Sequence, residues 1–203
     1  EASRAAVRLL QAGIDPTSIW HALHAAGAEL MLTDPRIIAL HSQTSANALH
    51  YAFRETNDPE TRQLMLLQCA SFIPMFRASI RGRDRLASLA GLEPGSVAGT
   101  SEAALADVLS ADHDKPANIA KALAFLEVGG AAPPLMDRVR RSIVDTASNS
   151  HDYKFAEAVF ETYDWTPDSP WRNRHLAAGF VYFNGPDDRP NAVIRDARAL
   201  LRV

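Results

Sequence analysis

Residues 16–54 have the sequence PTSIWHALHAAGAELMLTDPRIIALHSQTSANALHYAFR, and this stretch decides the predicted fold. Apolar side chains recur with helical spacing on both sides of the Thr-Asp-Pro link at residues 33–35, a sequence typical of a helix end followed by a helix start. So short a link makes the two helices antiparallel neighbours. We therefore expect a helical hairpin, in which one helix ends near Leu32 and the next covers residues 36–54.

The rest of the chain has the same helical character. Gly and Pro residues divide it into segments with helical apolar spacing, and no run of strict alternation marks a strand. We predict an all-α, multi-helix globular domain of about nine to ten helices that occupies residues 1–203 as one unit. Residues 129–134, GGAAPP, are the best candidate for a linker, and Pro74 is expected to kink or shorten its helix. Beyond the hairpin, predicted helices open at Asn57 and cover residues 101–111, 116–128, 135–147, 151–163, 171–183 and 191–201.

The composition favours a soluble protein without a nucleic-acid-binding surface. Hydrophobic residues make up 47% of the chain, the formal net charge is -3, and Lys and Arg are scattered among acids. The single cysteine, Cys69, excludes an internal disulfide and a Cys-rich zinc site, and its apolar surroundings indicate a buried structural thiol. Since no apolar stretch approaches the ~20 residues that span a bilayer, we expect no membrane partner.

The first residues have the pattern of a continuing amphipathic helix. They lack the basic start and apolar centre of a signal peptide. We therefore expect the chain to be the C-terminal part of a longer protein, located in the cytoplasm unless a targeting signal precedes it. The oligomeric state is left open.

Seven histidines are the main candidates for chemistry, because imidazole is both a common metal ligand and a common acid–base group. In the predicted hairpin, His24 and His41 differ by about three residues in distance from the turn, roughly 4.5 Å along the helix axis. We expect these two to share a site. The same offset predicts that His21 and His50 form a second pair, further from the turn along the hairpin axis.

His41 and His50 cannot both enter one coordination shell. They lie nine positions apart, which places them on opposite sides of a straight helix. The structural alternative assigns His50 to an interhelical hydrogen bond and His41 to a polar layer with Thr44 and Asn47. His50 is otherwise a candidate catalytic base, although a hydrolase using it would lack an identifiable nucleophile.

A second polar group occupies residues 149–154, NSHDYK. Asn149 or Ser150 can cap the helix that follows, and His151 and Lys154, at positions i and i+3, share one face of it. A cationic Lys154 near a helix start is opposed by the helix dipole, whereas a neutral or acidified amine is more easily accommodated. The alternative is that Lys154 simply extends into solvent.

Other familiar motifs are absent from the sequence. It contains no Gly-rich phosphate loop, no GxSxG elbow and no HExxH zinc helix. Residues 112–116, DHDKP, lack the spaced oxygens of a calcium loop and indicate a turn. We therefore expect His113, within that turn, to be exposed and inert.

Two of these stretches resemble the questin oxidase-like family. They are residues 40–49, LHSQTSANAL, and residues 150–158, SHDYKFAEA. The shared patterns are His-x-x-Thr followed by Ala, and His-x-x-Lys followed by an apolar helix. Members of that family are largely helical and oxidatively open fused aromatic polyketide rings, and some resemble mononuclear iron enzymes with histidine and carboxylated lysine ligands.

The resemblance implies a metal-dependent oxidase or oxygenase acting on an aromatic or polyketide-like small molecule. His41 and His151 match ligand positions and Lys154 becomes the candidate carboxylated ligand, while His24 joins the set only from the hairpin geometry. Such a ligand set suits iron(II) and leaves coordination positions open for dioxygen and substrate, and it would also bind zinc or manganese. Because the chain is shorter than members of the family, we expect part of the site to lie upstream.

The competing prediction is a non-catalytic helical interaction or scaffold domain whose histidines are structural. Metal content separates the two hypotheses, because an iron-loaded protein favours the oxygenase. A metal-free protein whose stability is unchanged by chelation favours the scaffold.

Overall fold

The protein is all-α, as the sequence predicts. The structure, a computed structural model, describes residues 1–80, 87–109, 114–183 and 191–201, and all secondary structure in these ranges is helical. None of the helices formed there is both long enough and apolar enough to cross a membrane. In chain order they are α1 (Ala2–Gln11), α2 (Pro16–Thr33), α3 (Ile37–Glu55), α4 (Pro59–Ser79), α5 (Glu102–Val108), α6 (Lys115–Glu127), α7 (Ala132–Thr146), α8 (Ser150–Trp165), α9 (Pro170–Ala178) and α10 (Ala192–Leu201), with a 3₁₀ turn at Gly179–Val181.

The predicted hairpin consists of α2 and α3. Asp15 caps α2 by accepting a hydrogen bond from the backbone N–H of Thr17 at 2.7 Å, and Pro16 follows in the first turn. At the other end, the N–H of Asp34 donates to the last turn of α2, and its carboxylate accepts two hydrogen bonds from Arg36, at 2.6 and 2.8 Å. These local contacts end one helix and start the next within a few residues.

Helix α3 carries His41 and His50 and packs against α2, α4 and α8. Asn47 of α3 donates to Glu161 of α8 at 2.8 Å, and further along both helices His50 meets Trp165 with ring centroids 4.7 Å apart. The residue numbers of both contacts increase together, so α3 and α8 run parallel. The start of α3 therefore lies beside the start of α8.

The predicted linker at residues 129–134 is a tight turn followed by the first turn of α7. Gly129 has a positive φ of 93°, a backbone conformation that glycine adopts readily. Helix α7 begins at Ala132, earlier than predicted, because Pro133 and Pro134 occupy its first turn. A proline there loses no helical hydrogen bond.

Pro74 does not shorten α4, which continues to Ser79. The buried side chains around it, Leu66, Cys69 and Ile73, belong to the hydrophobic core, and such packing can hold a helix through a proline. Burial raises the pKa of the Cys69 thiol to about 12. It is thus the structural thiol that the sequence predicts.

Two other predicted segments differ at their ends. The helix predicted over residues 171–183 starts at Pro170 and tightens into the 3₁₀ turn at Gly179–Val181. Part of the helix predicted over residues 101–111 lies outside the described residues, and so does His113 with its predicted inert turn.

Candidate functional site

The predicted site residues fall into two separate groups. His24 and His50 are buried in the core, whereas His41 and Lys154 are exposed and His151 is half-buried. His41 and His50 thus face opposite sides of α3, as their nine-residue spacing predicts. The predicted metal ligand His24 is therefore separated from the others.

His24 pairs with His50 rather than with His41. The His24 Nε2 and His50 Nδ1 atoms are 2.9 Å apart and join α2 to α3. On α3, Gln43, Ala46 and His50, three and four residues apart, are among the buried positions, whereas His41 is exposed. The offset argument for His24 and His41 was wrong because it compared heights along the hairpin and ignored the rotation of each residue about its helix axis.

The hydrogen bonds assign the protons of this pair. The Thr162 hydroxyl donates to the Ala158 carbonyl at 2.7 Å, so it accepts from His24 Nδ1 at 3.3 Å. His24 therefore carries its proton on Nδ1, and its bare Nε2 accepts from His50 Nδ1. Burial holds the pKa of His24 well below its ordinary value and lowers that of His50 to about 3. Both imidazoles are neutral at physiological pH.

His175 of α9 is a third member of this buried group, which the sequence analysis did not single out. Its ring centroid lies 6.3 Å from that of His24, and its Nε2 accepts from the Gln43 amide at 2.8 Å. Burial lowers its pKa to about 4. We call His24, His50, His175 and Gln43 the buried histidine cluster. It links α2, α3 and α9, and Thr162 attaches it to α8.

The cluster is closely packed yet incompletely hydrogen-bonded. In the described part of the chain, the fully buried side-chain atoms without a partner are Trp20 Nε1, His21 Nε2, Gln43 Oε1 and His175 Nδ1. Trp20 stacks on His50 with centroids 4.5 Å apart. Gln43 and His175 also line a cavity of about 10 Å³. This volume suits a single water and excludes an organic substrate.

His41 and His151 form the second group, at the junction between α3 and the start of α8. Their ring centroids are 5.4 Å apart, and the ring planes are inclined by 48°. A coordinating imidazole has its centroid about 3.2 Å from the ion, from a bond of about 2.1 Å and a ring radius of about 1.1 Å. Ligand angles of about 90° to 120° then separate two centroids by roughly 4.5 to 5.5 Å. The observed separation falls in this range.

A capping box holds the start of α8. Asn149, rather than Ser150, is the N-cap residue, and its side-chain oxygen accepts from the backbone N–H of His151 at 2.8 Å. The buried Asp152 carboxylate accepts from the backbone N–H groups of Ser148 and Asn149, at 2.9 and 3.3 Å. Side chains on both sides of His151, those of Asn149 and Asp152, thus hold the backbone at the start of α8 in place.

Lys154 does not turn inward with His151. It lies one turn further along α8 and is exposed. Within the residues that the structure describes, no group of three or more His, Cys, Asp or Glu side chains is arranged to hold a metal ion. Among the described residues, the third ligand of a metal on His41 and His151 would therefore have to be Lys154 or a group of another type.

A groove of substrate size lies elsewhere. It has a volume of about 360 Å³ and lies between α2 and α4, within the range of small-molecule sites. Its lining residues are Ala26, Glu29, Leu30, Thr33, Ile73, Arg77 and Ile80. None of them belongs to either histidine group.

Comparisons with known proteins assign no family. No family model matches the chain, and no curated protein or solved structure is significantly similar to it. The resemblance of residues 40–49 and 150–158 to the questin oxidase-like family remains a hypothesis carried by those two patches.

Proposed function

We propose that the chain is a metal-dependent oxidoreductase that oxidises an aromatic or polyketide-like substrate, with iron(II) held by His41, His151 and a carboxylated Lys154. One observation carries the proposal. Two histidines that lie far apart in sequence, each selected from a sequence pattern, have adjacent rings at a solvent-accessible helix junction, 5.4 Å between centroids. The buried histidine cluster, whose cavity is about 10 Å³, has no room for a substrate.

Lys154 supplies the anionic ligand after carboxylation. The neutral Nζ amine attacks carbon dioxide, a nitrogen–carbon bond forms, and one proton is released, leaving a carbamate with two donor oxygens. Lys154 lies in the second turn of α8; because helical side chains point back toward the N-terminus, an anion at its tip would be favoured by the helix dipole. Two neutral imidazoles and one anionic oxygen ligand form a set that suits iron(II).

The roles of the chain's own residues follow from their positions. His41 and His151 would hold the ion through ring nitrogens from two different helices, and a carboxylated Lys154 would balance part of its charge. When bound, iron(II) supplies open coordination positions for dioxygen-dependent oxidation of an organic ring. His24 and His50 act by holding α2 against α3, which fixes the position of His41.

Iron uptake by single-histidine variants tests the proposal. After anaerobic loading with iron(II) in bicarbonate buffer, we expect about one iron per chain by elemental analysis. His41→Ala and His151→Ala should lose most of this iron and keep the helical circular dichroism spectrum. His113→Ala, in the predicted charged turn, is the matched control and should bind normally. Parent-level iron in both site variants contradicts the proposal.

The carboxylated lysine has its own test. Lys154→Met should abolish iron binding, whereas Lys154→Glu supplies a carboxylate directly and should retain part of it. Removing bicarbonate should weaken binding by the parent and leave Lys154→Glu unaffected. If Lys154→Met binds as much iron as the parent, Lys154 is not a ligand.

A second candidate function is a helical interaction or scaffold domain with structural histidines. The observation that favours it is the buried histidine cluster, in which imidazoles serve as hydrogen-bonding groups between helices. A scaffold predicts that the protein remains metal-free after loading and that a chelator leaves its melting temperature unchanged.

A further inference from the structure

The orientation of the Asn149 side-chain amide is determined by its neighbours. Its Oδ1 accepts from the backbone N–H of His151 at 2.8 Å, and its Nδ2 lies 3.3 Å from Asp152 Oδ2. A backbone N–H only donates and a carboxylate only accepts. The amide therefore places its oxygen toward His151 and its nitrogen toward Asp152.

This orientation assigns the proton on the His151 ring. His151 Nδ1 is 3.1 Å from Asn149 Oδ1, and an amide oxygen can only accept, so Nδ1 is the donor. A neutral imidazole carries one N–H. In neutral His151 the unprotonated atom is consequently Nε2, the one that can bind a metal ion.

Asn149 is itself held in place. The Asp152 carboxylate that accepts from its side chain is only 8% exposed, and its other oxygen accepts from the Tyr182 hydroxyl at 3.3 Å. Burial raises the pKa of Tyr182 to about 12, with a further contribution from Asp152, so the phenol remains a donor. A chain of hydrogen bonds thus leads from Tyr182 through Asp152 and Asn149 to His151.

We propose that Asn149 is a positioning residue that keeps His151 in the Nδ1–H tautomer and leaves Nε2 as the ring nitrogen that can bind a metal ion. Histidines that bind metals commonly donate their other ring N–H to such a partner. The metal-binding consequence rests on the proposed function. The tautomer is a property of the chain alone and can be measured without metal.

The first experiment measures ring tautomers in the metal-free, ¹⁵N-labelled protein by long-range ¹H–¹⁵N correlation. We expect His151 of the parent to be mainly Nδ1–H. Asn149→Ser retains a hydroxyl that can cap α8, but its shorter side chain cannot also reach the ring, so the preference should disappear while helicity is kept. Asn149→Ala should lose both the preference and stability. His175, whose ring is held by Gln43, is the internal control and should not change.

The second experiment titrates the parent and Asn149→Ser with Zn²⁺ by calorimetry. We expect the serine variant to bind zinc about ten-fold more weakly, since loss of such a partner commonly has an effect of this size. An Nε2–H tautomer in the parent, an unchanged tautomer in Asn149→Ser, or equal zinc affinities would each overturn the inference. A parent that binds neither zinc nor iron overturns the proposed function instead, and the tautomer measurement then decides the role of Asn149.

Discussion

Mild acid should destabilise this protein through its buried histidine cluster. The perturbation is a change from about pH 7.5 to about pH 5, a range in which histidine in an unfolded chain, with a pKa of about 6.5, becomes protonated. His175 is 5% exposed, and burial lowers its pKa in the folded protein to about 4. The folded state therefore resists a proton that the unfolded state accepts.

The sign and the size of the effect follow from linkage. Because the folded pKa is the lower one, the stability contributed by neutral His175 is fully present above about pH 6.5 and is lost as the pH falls toward about 4. At about pH 5 the loss from this residue is roughly 2 kcal/mol. The lowered pKa values of His24 and His50 act in the same direction and add to the destabilisation.

Urea unfolding followed by circular dichroism measures the effect at a series of pH values. We expect the free energy of unfolding to decrease by at least about 2 kcal/mol between about pH 7.5 and pH 5. His175→Gln cannot titrate, so its pH dependence should be smaller by about that amount, whatever its absolute stability. A change of less than about 1 kcal/mol in the parent would refute the assignment of neutral buried imidazoles.

Three further predictions concern packing and reactivity. Gly27→Ala would place a methyl group 2.7 Å from the Gln43 side-chain oxygen. The Gln43 amide, which donates to His175 at 2.8 Å, would have to shift, so we expect a cost of about 1–3 kcal/mol in urea unfolding; an unchanged midpoint would mean that this side chain moves aside freely. Thr162→Val removes the acceptor for His24 Nδ1 while conserving shape, and should cost about 1–3 kcal/mol, whereas Thr146→Val, away from the cluster, should cost less. Cys69, only 1% exposed, should react with a thiol reagent at the rate of unfolding, and rapid labelling of the native protein would contradict its burial.

Local sequence determined the helices of this protein. Asp15 and Pro16 start α2, and Asp34 ends it, through contacts within a few residues, which is why the hairpin can be predicted without tertiary information. The opposite directions of His41 and His50 also follow from sequence, because helical rotation depends only on the number of residues between them.

The tertiary structure alone decided which side chains meet. The pairing of His24 with His50 depends on how α2 and α3 are rotated about their own axes, and the contact of His175 with Gln43 joins residues 132 positions apart. Neither contact can be read from the periodicity or the local pattern of the sequence. Burial of the surrounding apolar side chains selects this arrangement from many others that contain the same helices. The adjacency of His41 and His151 likewise arises from the parallel packing of α8 on α3. The sequence thus determined where helices begin and end, and packing determined which of their faces meet.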